Sequence, residues 1–278
     1  MKIDSVFIIS HFKEFQNKRL PKFITNLTNT DIGHTPIYLF INGNPHKSST
    51  ALHEAYESEI REVKALSKTL RLTVVFYSNN ISINEFFITQ VLPFRKELHK
   101  TFLLLETDCA LSGDFMKKLS QDMANFNNIW IYGSYYYGGL AKKRSERNQM
   151  AFIMNAVAVY NRDPVFLEHT KILTDYRIRY DVYINALLME LGLSLNKCID
   201  SRYILNVSPE SDRELSIQYA EIKENTCVLH TKNDLLLDDI LWTGEFMHSK
   251  QWKGVKFANG RPTVYMTGQQ GLGYYIDS

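Results

Sequence analysis

The chain has 278 residues, 45% hydrophobic and 22% charged, a balance that argues against global disorder and allows a sizeable core. Its 32 basic and 30 acidic side chains leave a formal net charge of +2, which gives no case for a phosphate-tracking nucleic-acid surface. Three cysteines, Cys109, Cys198 and Cys227, show no CxxC spacing and argue against a disulfide scaffold or a cysteine-zinc site.

The first residues, MKIDSVFIISHFKEF, lack the long apolar block and small-residue cleavage site of a signal peptide, and no apolar stretch approaches the roughly 20 residues of a membrane span. The expectation is a soluble, cytoplasmic protein with no membrane span and no nucleic-acid partner. With no Pro/Ser-rich linker, residues 1–278 read as a single domain: a nucleotide-binding half over 1–110, then an acceptor-binding half with a C-terminal extension over 111–278.

In chain order, Ser5–Ser10 (SVFIIS) predicts a buried strand and Leu20–Leu27 a helix. Ile37–Ile41 is a second apolar strand, closed by the turn signal Asn42-Gly43-Asn44-Pro45. Residues 51–70 have helical periodicity, and Arg71–Tyr77 reads as a third strand ending in Ser78-Asn79-Asn80. Residues 82–99 look helical, with Pro93 expected to kink or interrupt the helix. Thr101–Leu105 is a fourth strand, running into Glu106-Thr107-Asp108. This alternation implies a mostly parallel α/β sheet flanked by helices, with ligands bound beyond the carboxyl ends of the strands. The polar residues delivered there are Ser10, His11, Asn42, Asn79, Glu106 and Asp108. Beyond them, Ile129–Gly133 and Ala156–Tyr160 read as strands, and Asp163–Leu173 and Asp181–Leu191 as helices.

Several segments carry candidate chemistry. In LLLETDCALSGDF an apolar strand presents two carboxylates, Glu106 and Asp108, able to serve one hard cation such as Mg²⁺ or Mn²⁺. A diphosphate leaving group needs such charge neutralisation. In CVLHTKND, His230 is a suitable ligand for an Mn²⁺-type ion and Lys232 a point charge for phosphate. In MNAVAVYNRD, Asn155 has the chemistry to bond sugar hydroxyls and Ala156 leaves room for a ring; a plain edge strand is the alternative. Asp181 in RYDVYINALLMELG reads as a helix N-cap or as a general base, with Asp175 and Asp200 as rivals. Tyr136 sits in WIYGSYYYGGLAKKR, a loop over a sugar site or an ordinary surface loop.

Together the strand order and the ETD, MNAVAVYN, YDVYIN and LHTK segments resemble the GT-A fold (Rossmann-like) glycosyltransferases from Ser5 to about Asp234, with Glu106 where that family's DxD motif has its first Asp. The Lys/Asn/Ile-rich character also looks like the soluble glycosyltransferases of large DNA viruses that infect algae, some similar to xylose-transferring enzymes. The resemblance implies a nucleotide-sugar donor, most readily a UDP-sugar, lying against Ser10, His11, Asn42 and Asn79. It implies Mn²⁺ or Mg²⁺ held by Asp108 and His230 with help from Glu106, and Lys232 on the diphosphate. It further implies an acceptor glycan or glycoprotein near Asn155, Ala156 and Tyr136, and Asp181 as base of an inverting transfer. A nucleotidyltransferase fits less well, because SHFKEFQNKR after the first strand has no glycine. A carboxylate-based hydrolase fits the parallel order less well, and a non-catalytic glycan- or nucleotide-binding module stays open. No Walker A, GxSxG or HExxH pattern is present.

Overall fold

In the computed structural model four strands, β1 (Ser5–His11), β2 (Ile37–Asn42), β3 (Leu72–Tyr77) and β4 (Thr101–Glu106), pair in parallel in the order β3-β2-β1-β4. The structure describes residues 2–11, 19–44, 50–133 and 157–171, positions within 180–207, and residues 227–231, 246–248, 257–258, 261–268 and 271–276. Beside β4 the sheet continues through β7 (Ala158–Asn161), antiparallel to β4, then β6 (Ile131–Gly133), antiparallel to β7, and β8 (Cys198–Asp200), parallel to β6. A three-stranded sheet joins β5 (Cys109–Leu111), β10 (Val228–Thr231) and β9 (Ile204–Val207). A four-stranded antiparallel sheet of β11 (Phe246–His248), β12 (Phe257–Ala258), β13 (Arg261–Gly268) and β14 (Gly271–Ile276) forms the C-terminal extension. The expected mostly parallel α/β architecture is what the chain adopts.

The strands β1, β2 and β4 are apolar on both faces because both faces are covered. Val6, Ile8, Leu39, Ile41, Leu103 and Leu105 point into one core with Phe23, Ile24 and Leu27 of helix α1 (Arg19–Thr28) and Ile60 and Val63 of α2 (Thr50–Leu66). Their neighbours Phe7, Ile9, Tyr38, Phe40, Phe102 and Leu104 point into the other, against Phe86, Phe87, Phe166 and the helical residues Tyr180, Ile184 and Leu188. Period-two alternation thus feeds two layers, each fully buried side chain contributing about 1.5–3 kcal/mol. Gly43 takes φ 102 where the chain leaves β2, and its N–H donates to the Tyr77 carbonyl at 3.1 Å, a left-handed turn that glycine makes without strain.

Several elements differ from expectation. α2 stops at Leu66 and tightens into a 3₁₀ turn over Ser67–Thr69 before the extended Leu70. The predicted helix over 82–99 is only α3 (Ile83–Phe86), N-capped by Ser82, followed by a π-helical turn over Phe87–Val91. Pro93 has no N–H to continue the ladder, and Arg95 turns to φ 45. β5 and helix α4 (Phe115–Met123) follow Asp108 without having been anticipated. β7 runs inside the sheet and not at its edge, starting two residues later and ending one residue later than expected. Helix α5 (Pro164–Thr170) starts as read, with Asp163 as its N-cap, and ends earlier.

At the pole of the sheet opposite the carboxyl ends, Arg162 is 3% exposed, its guanidinium over Phe102 at 5.1 Å and Phe7 at 5.4 Å. Nη1 donates to the carbonyls of Leu92 at 3.1 Å and Phe94 at 2.5 Å, tying the irregular segment after the π turn to the sheet. Burial lowers its pKa to about 10, so it stays charged at neutral pH. Nearby, Tyr38 Oη and His99 Nε2 lie 2.9 Å apart, and Arg95 Nη1 donates to the same Tyr38 oxygen at 3.3 Å.

Candidate active site

Parallel strands of one sheet end together, and here β1, β2 and β4 end around a cleft of about 290 Å³. β1 contributes Ile9, Ser10 and His11, β2 contributes Asn42, and β4 with its following turn contributes Glu106, Thr107 and Asp108. The five expected residues Ser10, His11, Asn42, Glu106 and Asp108 therefore meet. Asn79 does not: it is exposed and outside the cleft lining. The chain turns at the end of β3 so that Asn80, its neighbour, reaches His11 instead, with Oδ1 at 3.0 Å from Nε2.

Two lining residues were not anticipated. Arg19, the first residue of α1, and Ile83, 45% exposed at the start of α3, both line the cleft. The legible signal for Arg19 was its place just before the Leu20, Phe23, Ile24, Leu27 stripe: a helix that follows a parallel strand begins at the strand's carboxyl edge.

The acid pair sits on a turn. β4 ends at Glu106, Thr107 and Asp108 turn, and β5 begins at Cys109 in the three-stranded sheet. Asp108 is buried at 7% exposure and Glu106 is half-buried, and both line the cleft. Burial, then the charges of Asp108 and Glu106, push the Cys109 thiol well above its ordinary range, so it stays protonated and is no nucleophile. Asn42 is 1% exposed, and its carboxamide is engaged with the fold: Nδ2 donates to the Ile81 carbonyl at 2.8 Å and Oδ1 accepts from the Ile81 N–H at 3.3 Å. Asn42 thus shapes the cleft wall that ends in Ile83.

β10 runs antiparallel to β5 with His230 directly across from Cys109, the residue after Asp108. The backbone of the late histidine therefore lies beside the acid turn. Lys232, Asp181, Asp175, Asn155, Ala156 and Tyr136 lie outside the described residues, and Asp200 ends β8 across from Gly133. Among the described residues no three His, Cys, Asp or Glu side chains converge into a metal-holding group. The donors that do meet, two adjacent carboxylates on one turn, are anionic oxygens of the kind a hard divalent cation takes when phosphate and water complete its shell. The residues present fit Mg²⁺ or Mn²⁺ on that ground.

No protein-family model matches the sequence, and no curated protein matches it at the sequence level. Solved structures do. The apo structure of the WbbM bifunctional glycosyltransferase superposes with a TM-score of 0.52 at 10% identity, over 84% of this chain and 46% of that one. A mannosyltransferase from Pyrobaculum calidifontis, solved with GDP-Man and Mn²⁺, gives 0.50 at 10% identity, over 80% of this chain and 64% of that one. The fold is that of the GT-A-type glycosyltransferases. Mouse xyloside xylosyltransferase 1 in its apo form matches at 0.47 and 12% identity, over 82% of this chain and 97% of that one. The chain spans about half the length of WbbM. Among the described residues no helix is long and apolar enough to cross a membrane.

Proposed function

We propose that this chain transfers a glycosyl group from a nucleotide-sugar donor to a hydroxyl of a glycan or glycoprotein acceptor. The observation that carries the reading is the Glu106–Asp108 turn, which opens onto a cleft at the carboxyl edge of β1, β2 and β4 within a glycosyltransferase fold. Two carboxylates two residues apart on one turn supply oxygen ligands suited to a hard divalent cation, and a diphosphate brings the remaining ligands. The mannosyltransferase of the same fold holds both Mn²⁺ and a nucleotide sugar, which is in keeping with this reading.

In this proposal Asp108 and Glu106 hold Mn²⁺ or Mg²⁺ together with His230. When bound, the cation supplies Lewis-acid stabilisation of the departing diphosphate. Ser10 and His11 border the nucleotide, Ile83 packs on it, and Lys232 adds positive charge to the leaving group. Asn155, Ala156 and Tyr136 border the sugar and acceptor. Asp181 takes the proton of the acceptor hydroxyl as its oxygen bonds to the anomeric carbon and the bond from that carbon to the diphosphate breaks, which inverts the centre. The donor base is taken as uracil, with UDP-xylose the first donor to try. Residues 1–278 act as one unit, the first 110 serving the nucleotide.

Calorimetric titration with UDP, with and without Mn²⁺, and with GDP and CDP as controls, tests the reading. Mn²⁺-dependent UDP binding that disappears in Asp108→Ala supports it. No binding of any nucleoside diphosphate in either condition overturns it in favour of a glycan-binding module.

A further inference from the structure

Among the described residues β5 has one strand partner, β10, and forms the edge of the three-stranded sheet. On its other side a side chain stands in for a strand. Asn26, on α1 and 6% exposed, accepts the Leu111 N–H through Oδ1 at 3.0 Å and donates from Nδ2 to the Leu111 carbonyl at 3.3 Å. A carboxamide carries one acceptor and two donors on a planar group, so it satisfies both backbone groups of a single residue as a neighbouring peptide would. Asparagine is a poor choice for a helix interior, and a buried carboxamide is costly unless bonded. Leucine at this position would join the apolar stripe of Leu20, Phe23, Ile24 and Leu27, so burial alone does not call for the polar group.

This contact connects two walls of the cleft. Asn26 lies about two helical turns along α1 from Arg19, which lines the cleft. Leu111 follows Asp108 through Cys109 and Ala110 on a short strand, so shifting β5 shifts the acid turn. We propose that Asn26 is a positioning residue: by fastening α1 to β5 it sets the separation between two cleft-lining residues, Arg19 at the start of α1 and Asp108 before β5, and with it the fit of a diphosphate in the cleft. The inference rests on the transferase reading above.

The test titrates UDP, with and without Mn²⁺, into the full chain as wild type, Asn26→Leu and Asn26→Asp, each well below its own unfolding temperature. The quantity read is the gain in UDP affinity that Mn²⁺ produces. Asn26→Leu is expected to lose about tenfold of that gain while metal-free UDP affinity stays within about twofold. Asn26→Asp keeps an acceptor for the Leu111 N–H and is expected to lose less. An Asn26 that served stability alone would lower the unfolding temperature and leave the Mn²⁺-dependent gain at the wild-type value in both variants, which overturns this inference and leaves the transferase reading standing. If Asn26→Leu does not fold, Asn26→Asp decides: a wild-type gain overturns the inference and a reduced gain supports it. Wild type that binds no UDP in either condition overturns both readings.

Discussion

Asn42 holds Ile81 by both of its backbone groups, giving one hydrogen bond and taking another with the same carboxamide. A polar residue at the end of a strand, which reads as a ligand contact from sequence, is here a clasp that orients the loop leading to Ile83. Asn42→Ala leaves the Ile81 N–H and carbonyl without these partners, and a loss of about 1–3 kcal/mol in urea unfolding is expected. Faster hydrogen exchange at the Ile81 amide would locate the effect; unchanged exchange would show that the clasp is unimportant.

His99 is held below its ordinary pKa, first by burial and then by the nearby cation of Arg162, with Arg95 and Arg71 acting the same way and Asp4 opposing. The folded protein therefore binds fewer protons at this site than the unfolded chain. Its contribution to stability is complete above about pH 6.5 and is lost as pH falls through the lower folded value. Urea midpoints measured from pH 7.5 downward should fall more steeply for wild type than for His99→Asn. Parallel curves would exclude His99 as a source of the acid sensitivity.

Asp31 caps a helix from a distant segment: its two carboxylate oxygens accept the N–H groups of Met116 and Lys117 at 2.9 and 2.8 Å. The residue at the usual capping position of α4, Asp114, makes no side-chain cap bond and instead meets Ser112 and Lys118. Asp31→Ala should cost about 1–2 kcal/mol, and Asp114→Ala much less. Equal losses in the two variants would contradict this division of roles.

Arg162→Met retains much of the packing against Phe7 and Phe102 but removes both hydrogen bonds to the Leu92 and Phe94 carbonyls. Two buried acceptors left without a donor should lower stability by about 2–5 kcal/mol. Unfolding by guanidinium within 0.5 kcal/mol of wild type, a difference ordinary for a surface change, would mean that these carbonyls find other donors.

Much of the fold was legible because strands buried on both faces are written as unbroken apolar runs. SVFIIS, IYLFI and TFLLL stand out between polar segments and became β1, β2 and β4, while LTVVFY became the edge strand β3, which leaves Thr73 and Phe76 exposed. β6, β7 and the start of α5 were legible in the same way, but β5, which directly follows Asp108, was not: it has three residues, too few for any periodicity, and its strand partner β10 lies far along the chain. Site residues at strand ends were readable from parallel topology, which is why Ser10, His11, Glu106 and Asp108 share the cleft. The exchange of Asn80 for Asn79 was not readable, since a turn places neighbouring side chains on different sides and only coordinates show which one faces His11. Ile83 was missed because a single apolar residue at the start of a four-residue helix carries no pattern, whereas Arg19 was within reach of the helix-start argument from the stripe that follows it.

The pairing of β5 with β10 bears on the order in which the protein can be assembled during synthesis. The four parallel strands are all in hand once the ribosome has passed Glu106, with α1 and α2 ready to cover one face, while the other face waits in part for Phe166, Tyr180, Ile184 and Leu188. The outer flank of the acid turn waits for Val228–Thr231, so a nascent or truncated chain ending before that strand has a sheet and an unfinished cleft. Contacts this distant in sequence form slowly, and ligand capacity should appear after most of the secondary structure.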